Sequence, residues 1–216
     1  MRATRLANLW NDGPVGPPES NRVSRIVLTG GPGGGKTAAA DLFRREIGDS
    51  VVVVPESATT LFAGGFPRVR HDDVQRATQR AIFEVQKSSE EIQLDLYPHR
   101  VLLCDRGTVD GAAYWPEGPD DFFAAMGTDH ATELLRYDVV LFFETAAVGN
   151  IEFEGGNRYR TEDNREAVEL DLRLRELWSI HPRFHLIEHR SSFLAKITTA
   201  LEILGGVTDR NPNPNP

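Results

Sequence analysis

Twelve consecutive residues, Ile26-Val27-Leu28-Thr29-Gly30-Gly31-Pro32-Gly33-Gly34-Gly35-Lys36-Thr37, constrain this chain more than any other stretch. Four β-prone residues lead into a glycine-packed loop, and the alanine-rich run after Thr37 has helical character. Gly30 to Thr37 satisfies G-x-x-x-x-G-K-[ST] in the context the pattern demands, after a strand and before a helix. Glycines admit φ > 0 and let backbone N–H groups face phosphate oxygens, while the helix N-terminus adds positive dipole. The phosphate-binding set is therefore Gly31, Pro32, Gly33, Gly34, Gly35, Lys36, Thr37 and Ala38. Within it Lys36 reaches the β- and γ-phosphates and Thr37 contributes to a Mg2+ site. A flexible glycine linker would not put Lys-Thr in register at a helix start. The motif implies nucleoside triphosphate binding and leaves kinase, motor, switch and synthetase open.

The rest of the chain reads as one domain. At 216 residues and 40% hydrophobic it can bury one sizeable core. Short apolar runs at 25–29, 51–55, 100–105, 138–144 and 183–188 read as parallel strands covered on both faces. Helical patterns fill the intervals, at 37–47, 72–96, about 120–136, 165–178 and 191–204, which predicts a doubly wound α/β sheet. In the helix from Asp72, the residues Ala77, Ala81, Ile82, Val85, Ile92 and Leu96 suggest one apolar face, and the length suits a cleft wall. Residues 58–71 and 145–164 read as irregular and polar, either functional covers or disordered insertions. The expected organisation is a disordered tail at 1–22, a domain at 23–206 with a lid at about 145–165, and a disordered tail at 207–216. The single cysteine, Cys104, lies in an apolar run and is expected in the core. A net charge of −8 argues against nucleic acid as a partner. No run approaches a membrane span or signal-peptide core, so a cytoplasmic location is expected.

Carboxylates and guanidinium groups at strand ends separate the classes. The third strand ends at Asp105-Arg106: Asp105 is placed to support the Mg2+ shell and Arg106 to meet transferring phosphate charge. A turn cap and a surface ion pair are the competing readings. Glu56 follows the second strand and is a candidate to accept a hydroxyl proton or bind substrate hydroxyls, against the alternative of a helix-start acid. Arg158, Arg160 and Arg165 suggest a lid that neutralises phosphoryl charge, with Arg160 preferred. No Asn-Lys-x-Asp stretch offers guanine readout, and the chain is too short for a ring-forming motor with a second subdomain.

The stretches LTGGPGGGKT, VPESATTLFAGG and LLCDRGTVDGAAYW, in this order, resemble the small AAA-labelled P-loop domains that include the TRPL translocation defect proteins of animals. The wider arrangement is similar to nucleoside and nucleotide kinases such as thymidylate kinase and ribosylnicotinamide kinase. That resemblance spans about residues 25–204. It implies a P-loop α/β/α three-layer sandwich with a five-stranded parallel sheet in the order 2-3-1-4-5. It also implies Glu56 as base or hydroxyl ligand, Arg106 at the transferred phosphate, and Arg158 or Arg160 on the lid. Gly107 departs from thymidylate kinases, which carry a bulky residue there, so the acceptor pocket is expected to differ. Its candidates are Phe66 and Arg68 at the mouth, Gln79 and Phe83 one turn apart on the long helix, and Asp110 as a sugar or Mg2+ contact or a turn former. The expected activity is Mg2+-dependent phosphotransfer from ATP to a small nucleoside- or nucleotide-like acceptor. The alternative is an ATP- or GTP-binding switch acting on a protein partner. The acceptor and the oligomeric state, a homodimer included, are left open.

Overall fold

The computed structural model describes residues 25–149, 164–190 and 192–208. Strands β1 (Arg25–Thr29), β2 (Val51–Val54), β3 (Val101–Asp105), β4 (Val139–Phe143) and β5 (Phe184–Ile187) form one parallel sheet in the order β2-β3-β1-β4-β5. Burial follows position in the sheet. Every residue of the inner strands β3 and β4 is buried, whereas β2 and β5 at the edges are only partly so. That is why the inner strands read as unbroken apolar runs.

Because side chains alternate across a strand, β1 feeds two cores. Ile26 and Leu28 join Leu103, Leu141 and Phe143 beneath α1 (Lys36–Ile47) and α7 (Phe193–Thr208). Val27 joins Leu102, Cys104, Val140 and Phe142 on the opposite face, against α3 (Asp72–Leu96), α6 (Asn164–Trp178) and a 3-10 segment at Thr108–Tyr114. The result is the expected three-layer sandwich. Cys104 is fully buried in it, and burial together with nearby Glu90 pushes its thiol well above the usual range.

Three local expectations change. The stretch after Glu56, read as irregular, opens with a short helix, α2 (Ser57–Ala63). The helix expected over about 120–136 is two short ones, α4 (Pro119–Ala125) and α5 (His130–Leu134). Gly127 turns left-handed between them at φ 68°, and Asp129 caps α5 by accepting from Thr132 N at 2.9 Å. The third concerns the face α3 turns inward. Ala77, Ile92 and Leu96 are exposed, whereas Thr78, Gln79, Phe83, Gln86 and Glu90 are buried. The inner face is largely polar because it meets a cleft and a buried hydrogen-bond network. Among the described residues, no helix is long and apolar enough to cross a membrane.

Candidate functional site

Parallel strands send their carboxyl ends to one edge of the sheet, and the candidate residues collect there. Lys36, the first residue of α1, is only 4% exposed, and its ammonium group donates to the carbonyls of Gly30 at 2.9 Å and Gly31 at 2.6 Å. Thr37 and Ala38 follow on the exposed side of the helix start. The Thr37 hydroxyl donates to Asp105 Oδ2 at 2.7 Å across the β1–β3 pair. Asp105 ends β3, is 2% exposed, and leaves its other oxygen, Oδ1, without a hydrogen-bond partner. Burial and the neighbouring Glu56 raise its pKa, with the Thr37 hydroxyl opposing.

A buried carboxylate oxygen without a partner beside a hydroxyl fits a hard cation. Among the described residues no three His, Cys, Asp or Glu side chains cluster as a metal cage. One carboxylate, one hydroxyl and nucleotide phosphates are the donor set Mg2+ ordinarily takes, so Thr37 and Asp105 fit it.

Arg106 is the one described non-glycine residue with positive φ, at 84°. A backbone in this region costs about 1–3 kcal/mol and persists when the surroundings over-determine it. Its N–H donates to Leu28 O at 3.0 Å, and its carbonyl accepts from Gln86 Nε2 at 3.1 Å. The guanidinium is thereby delivered to the phosphate loop, where Nη1 donates to Gly30 O at 2.6 Å. Glu56 Oε1 and Asp110 Oδ2 each lie 3.4 Å from it. Burial opposes its charge, but Tyr114, Asp110, Glu56 and Asp105 outweigh burial and raise its pKa.

Glu56 stands at the N-cap position of α2 yet makes no side-chain cap bond. Its carboxylate turns instead toward Arg106 and toward Thr59, whose hydroxyl donates to Oε2 at 2.5 Å. Asp110 is held differently. Oδ1 accepts from Thr29 Oγ1 at 2.7 Å and Trp178 Nε1 at 2.6 Å, so its oxygens are largely engaged within the protein. It braces Arg106.

Beside Glu56 and Arg106 opens a cleft of about 230 Å³. Its walls come from α2, the segment 67–70, α3 and the residues after β3. Arg68, Gln79, Phe83 and Asp110 all line it, and the Arg68 guanidinium sits 5.4 Å above the Phe62 ring. Phe83 is also a core residue, edge-on to Phe122 at 5.9 Å. Phe66 is 40% exposed and falls outside the wall, where Phe62 takes its expected place. Arg158 and Arg160 lie outside the described residues; Arg165 is exposed on α6 and pairs with Glu169 at 3.1 Å.

Four supporting residues escape a motif-based reading. Ser57 donates to Gln86 Oε1 at 2.8 Å, and Gln86 in turn supports Arg106. Thr145 and Asp171 hold the phosphate loop from the β4 side, with Thr145 Oγ1 donating to Pro32 O at 2.5 Å and Asp171 Oδ1 accepting from Gly31 N at 2.7 Å. A signal existed for two of them: Gln86 and Asp171 are polar residues at helical spacing with buried ones.

The fold has close counterparts. Thymidylate kinase from Candida albicans superposes with a TM-score of 0.63 at 14% identity, covering 88% of this chain and 93% of that chain. Deoxyadenosine kinase from M. mycoides, solved with bound dATP, does so with a TM-score of 0.60 at 11% identity, covering 84% and 99%. At such identities the likeness is one of fold, a P-loop α/β fold of nucleotide-kinase type. No curated protein matches the sequence. Residues 25–193, spanning the phosphate loop, Glu56, Asp105-Arg106 and the cleft, match the AAA domain family, to which this chain belongs.

Proposed function

We propose that this protein is a Mg2+-dependent phosphotransferase that moves the γ-phosphate of ATP to a small nucleoside- or nucleotide-like acceptor. One observation carries the reading: the phosphate loop abuts a cleft of about 230 Å³ with Glu56 and Arg106 at the junction. A hydrolytic switch needs room for water alone. The cleft instead offers apolar walls in Phe62, Ile82 and Phe83 and amide groups in Gln75 and Gln79, which suit a flat, polar-edged acceptor. The names of the two structural relatives favour the same class.

In this reading the loop amides and Lys36 hold the triphosphate, and Thr37 and Asp105 hold Mg2+, which would neutralise charge between the β- and γ-phosphates. Glu56 accepts the proton of the acceptor hydroxyl as its oxygen bonds to the γ-phosphorus. The bond from that phosphorus to the β–γ bridging oxygen breaks, and ADP leaves with the bridging oxygen. Arg106, positively charged and fixed by Gly30 O, stabilises the equatorial oxygens during transfer. A phosphate acceptor would need no proton transfer, and Glu56 would then bind its hydroxyls.

The test is mass-spectrometric detection of phosphorylated product after incubation with Mg-ATP or Mg-GTP and a pool of nucleosides, nucleoside monophosphates and other small metabolites. A product lost in Lys36→Ala supports the proposal and identifies donor and acceptor. Tight nucleotide binding with no transferred phosphate moves the assignment to a nucleotide-dependent switch.

A further inference from the structure

The inward stripe of α6 is formed by Ala167, Leu170, Leu174, Leu177 and Trp178, and Asp171 stands among them, 3% exposed. An apolar side chain would fill such a position without desolvating a charge. Burial raises the pKa of Asp171, with the Gly31 and Thr145 amides and the charge of Lys36 opposing. A carboxylate beside a polyphosphate site also repels the ligand. Its presence there needs a reason.

Geometry supplies one. A single oxygen, Oδ1, accepts from Gly31 N at 2.7 Å and from Thr145 N at 3.0 Å. Thr145 completes the circuit through its hydroxyl, which donates to Pro32 O at 2.5 Å. The first turn of the phosphate loop is thus bonded to the residue that leaves β4 and, through it, to α6. Gly31 permits this approach: a Cβ at that position would stand 2.5 Å from Asp171 Oδ1 and 2.8 Å from Asp171 Cβ. The far side of the junction is fixed as well. Lys196 on α7 donates to Glu144 O at 2.6 Å, and Glu144 Oε2 accepts from His189 N at 2.8 Å.

We propose that Asp171 and Thr145 are positioning residues for nucleotide binding. They clamp Gly31 and Pro32 so that the loop amides downstream are already aimed at the triphosphate when it arrives. The proposal rests on the nucleotide-binding reading above and adds residues outside the phosphate-loop motif. The role of Asp171 is that of an acceptor, which an amide oxygen also fills. Asparagine at 171 keeps both hydrogen bonds and removes the charge, whereas alanine leaves two buried N–H groups without their partner.

The experiment is calorimetric titration of the full chain with Mg-ATP and with Mg-GTP, alongside thermal unfolding, for wild type, Asp171→Ala, Asp171→Asn and Thr145→Val. Wild type is titrated first; if it binds neither nucleotide, the functional reading fails and this proposal falls with it. Given wild-type binding, Asp171→Ala is expected to weaken affinity by roughly tenfold or more at a temperature where it is fully folded. Asp171→Asn is expected to bind as tightly as wild type or more tightly, because the acceptor geometry is kept and the repelling charge is gone. Thr145→Val falls between. A purely structural role lowers the unfolding temperature of Asp171→Ala and leaves its affinity unchanged while folded, which overturns the proposal. Asp171→Asn binding as weakly as alanine overturns it too. Should Asp171→Ala fail to fold, wild-type affinity in Thr145→Val is the overturning result.

Discussion

The two sides of the candidate site are built by opposite means. On one side the phosphate loop is eight consecutive residues, Gly30 to Thr37, whose ligand-facing chemistry is largely main chain. On the other, the cleft gathers side chains from α2, the segment 67–70, α3 and the stretch after β3. The first side specifies a ligand class almost independently of its surroundings, since N–H groups recognise any polyphosphate. In the proposed reading the second discriminates among acceptors, because each of its contacts comes from a separately replaceable side chain. Glu56 and Arg106 sit on the seam, 3.4 Å apart, and Arg106 also reaches Gly30 O.

Glu56→Gln is the substitution expected to separate the two sides most sharply. With the proton acceptor removed and the hydrogen-bonding shape kept, transfer should fall by about 10²–10⁴-fold, the usual worth of a general base. Mg-ATP affinity should hold, because glutamine keeps the shape of Glu56 and an acceptor oxygen for its bonding to Thr59 and Arg106. Single-turnover transfer rates measured beside nucleotide Kd will show it. Equal losses in both would mean that the seam belongs to the loop. Lys36→Ala probes the opposite side, with an expected fall of about 10²–10³-fold in transfer, comparable to removing one charged transition-state donor. Here nucleotide Kd should weaken as well.

A smaller effect is expected one layer back. Gln86 accepts from Ser57 and donates to Glu90 Oε1 at 3.0 Å and Arg106 O at 3.1 Å. Gln86→Leu matches its bulk but strands those partners, which costs about 1–3 kcal/mol in a buried site. Chemical denaturation should register this loss. The released Arg106 backbone, held at φ 84°, should then relax and weaken acceptor KM more than nucleotide Kd. A pure stability loss with unchanged kinetics would mean that the strain at Arg106 has no part in function.

The same contrast explains what was legible before any coordinates. The loop was readable because its pattern lies in local sequence order, and the strand order followed from the resemblance of the wider arrangement to nucleoside and nucleotide kinases. The placing of Glu56, Asp105 and Arg106 at one edge was readable because a parallel sheet sends every strand end there. Phe62 lines the cleft and Phe66 does not, and the sequence could not distinguish them because residues 58–71 read as irregular and the facing of the short helix α2 shows no periodicity. Asp110, open in the sequence between a ligand contact and a turn former, lines the cleft and bonds Thr29 and Trp178, which lie 81 and 68 residues away and which no local pattern announces. The inward face of α3 was misjudged because apolar periodicity assumes an oily neighbour. There the neighbours are a cleft and a polar network in which Glu90, fully buried on that face, accepts from Tyr137 at 2.7 Å and pairs with Arg136 at 3.0 Å.

The least dramatic test asks whether the main-chain side of the site stands on buried charges of its own. Lys196, 4% exposed beneath the β4 exit, has its pKa lowered to about 8 by burial, with Glu144 and Asp171 opposing the shift. Its unfolded value is near 10.5. Between those two values the unfolded chain binds more protons than the folded one, so stability from this group rises with pH from about 8 to 10.5. Below pH 8 the ammonium is buried at full cost. Lys196→Met removes the titration and also deprives Glu144 O of its donor, so the absolute stability of the variant is not diagnostic, whereas its slope against pH is. From pH 7.5 to 9.5 wild type should gain about 1–2 kcal/mol relative to Lys196→Met in parallel denaturant titrations. A flat difference across that range would mean that Lys196 is solvated in both states. The β4 exit would then need no buried cation, leaving the clamp at Asp171 and Thr145 as the side-chain support identified on that flank of the phosphate loop.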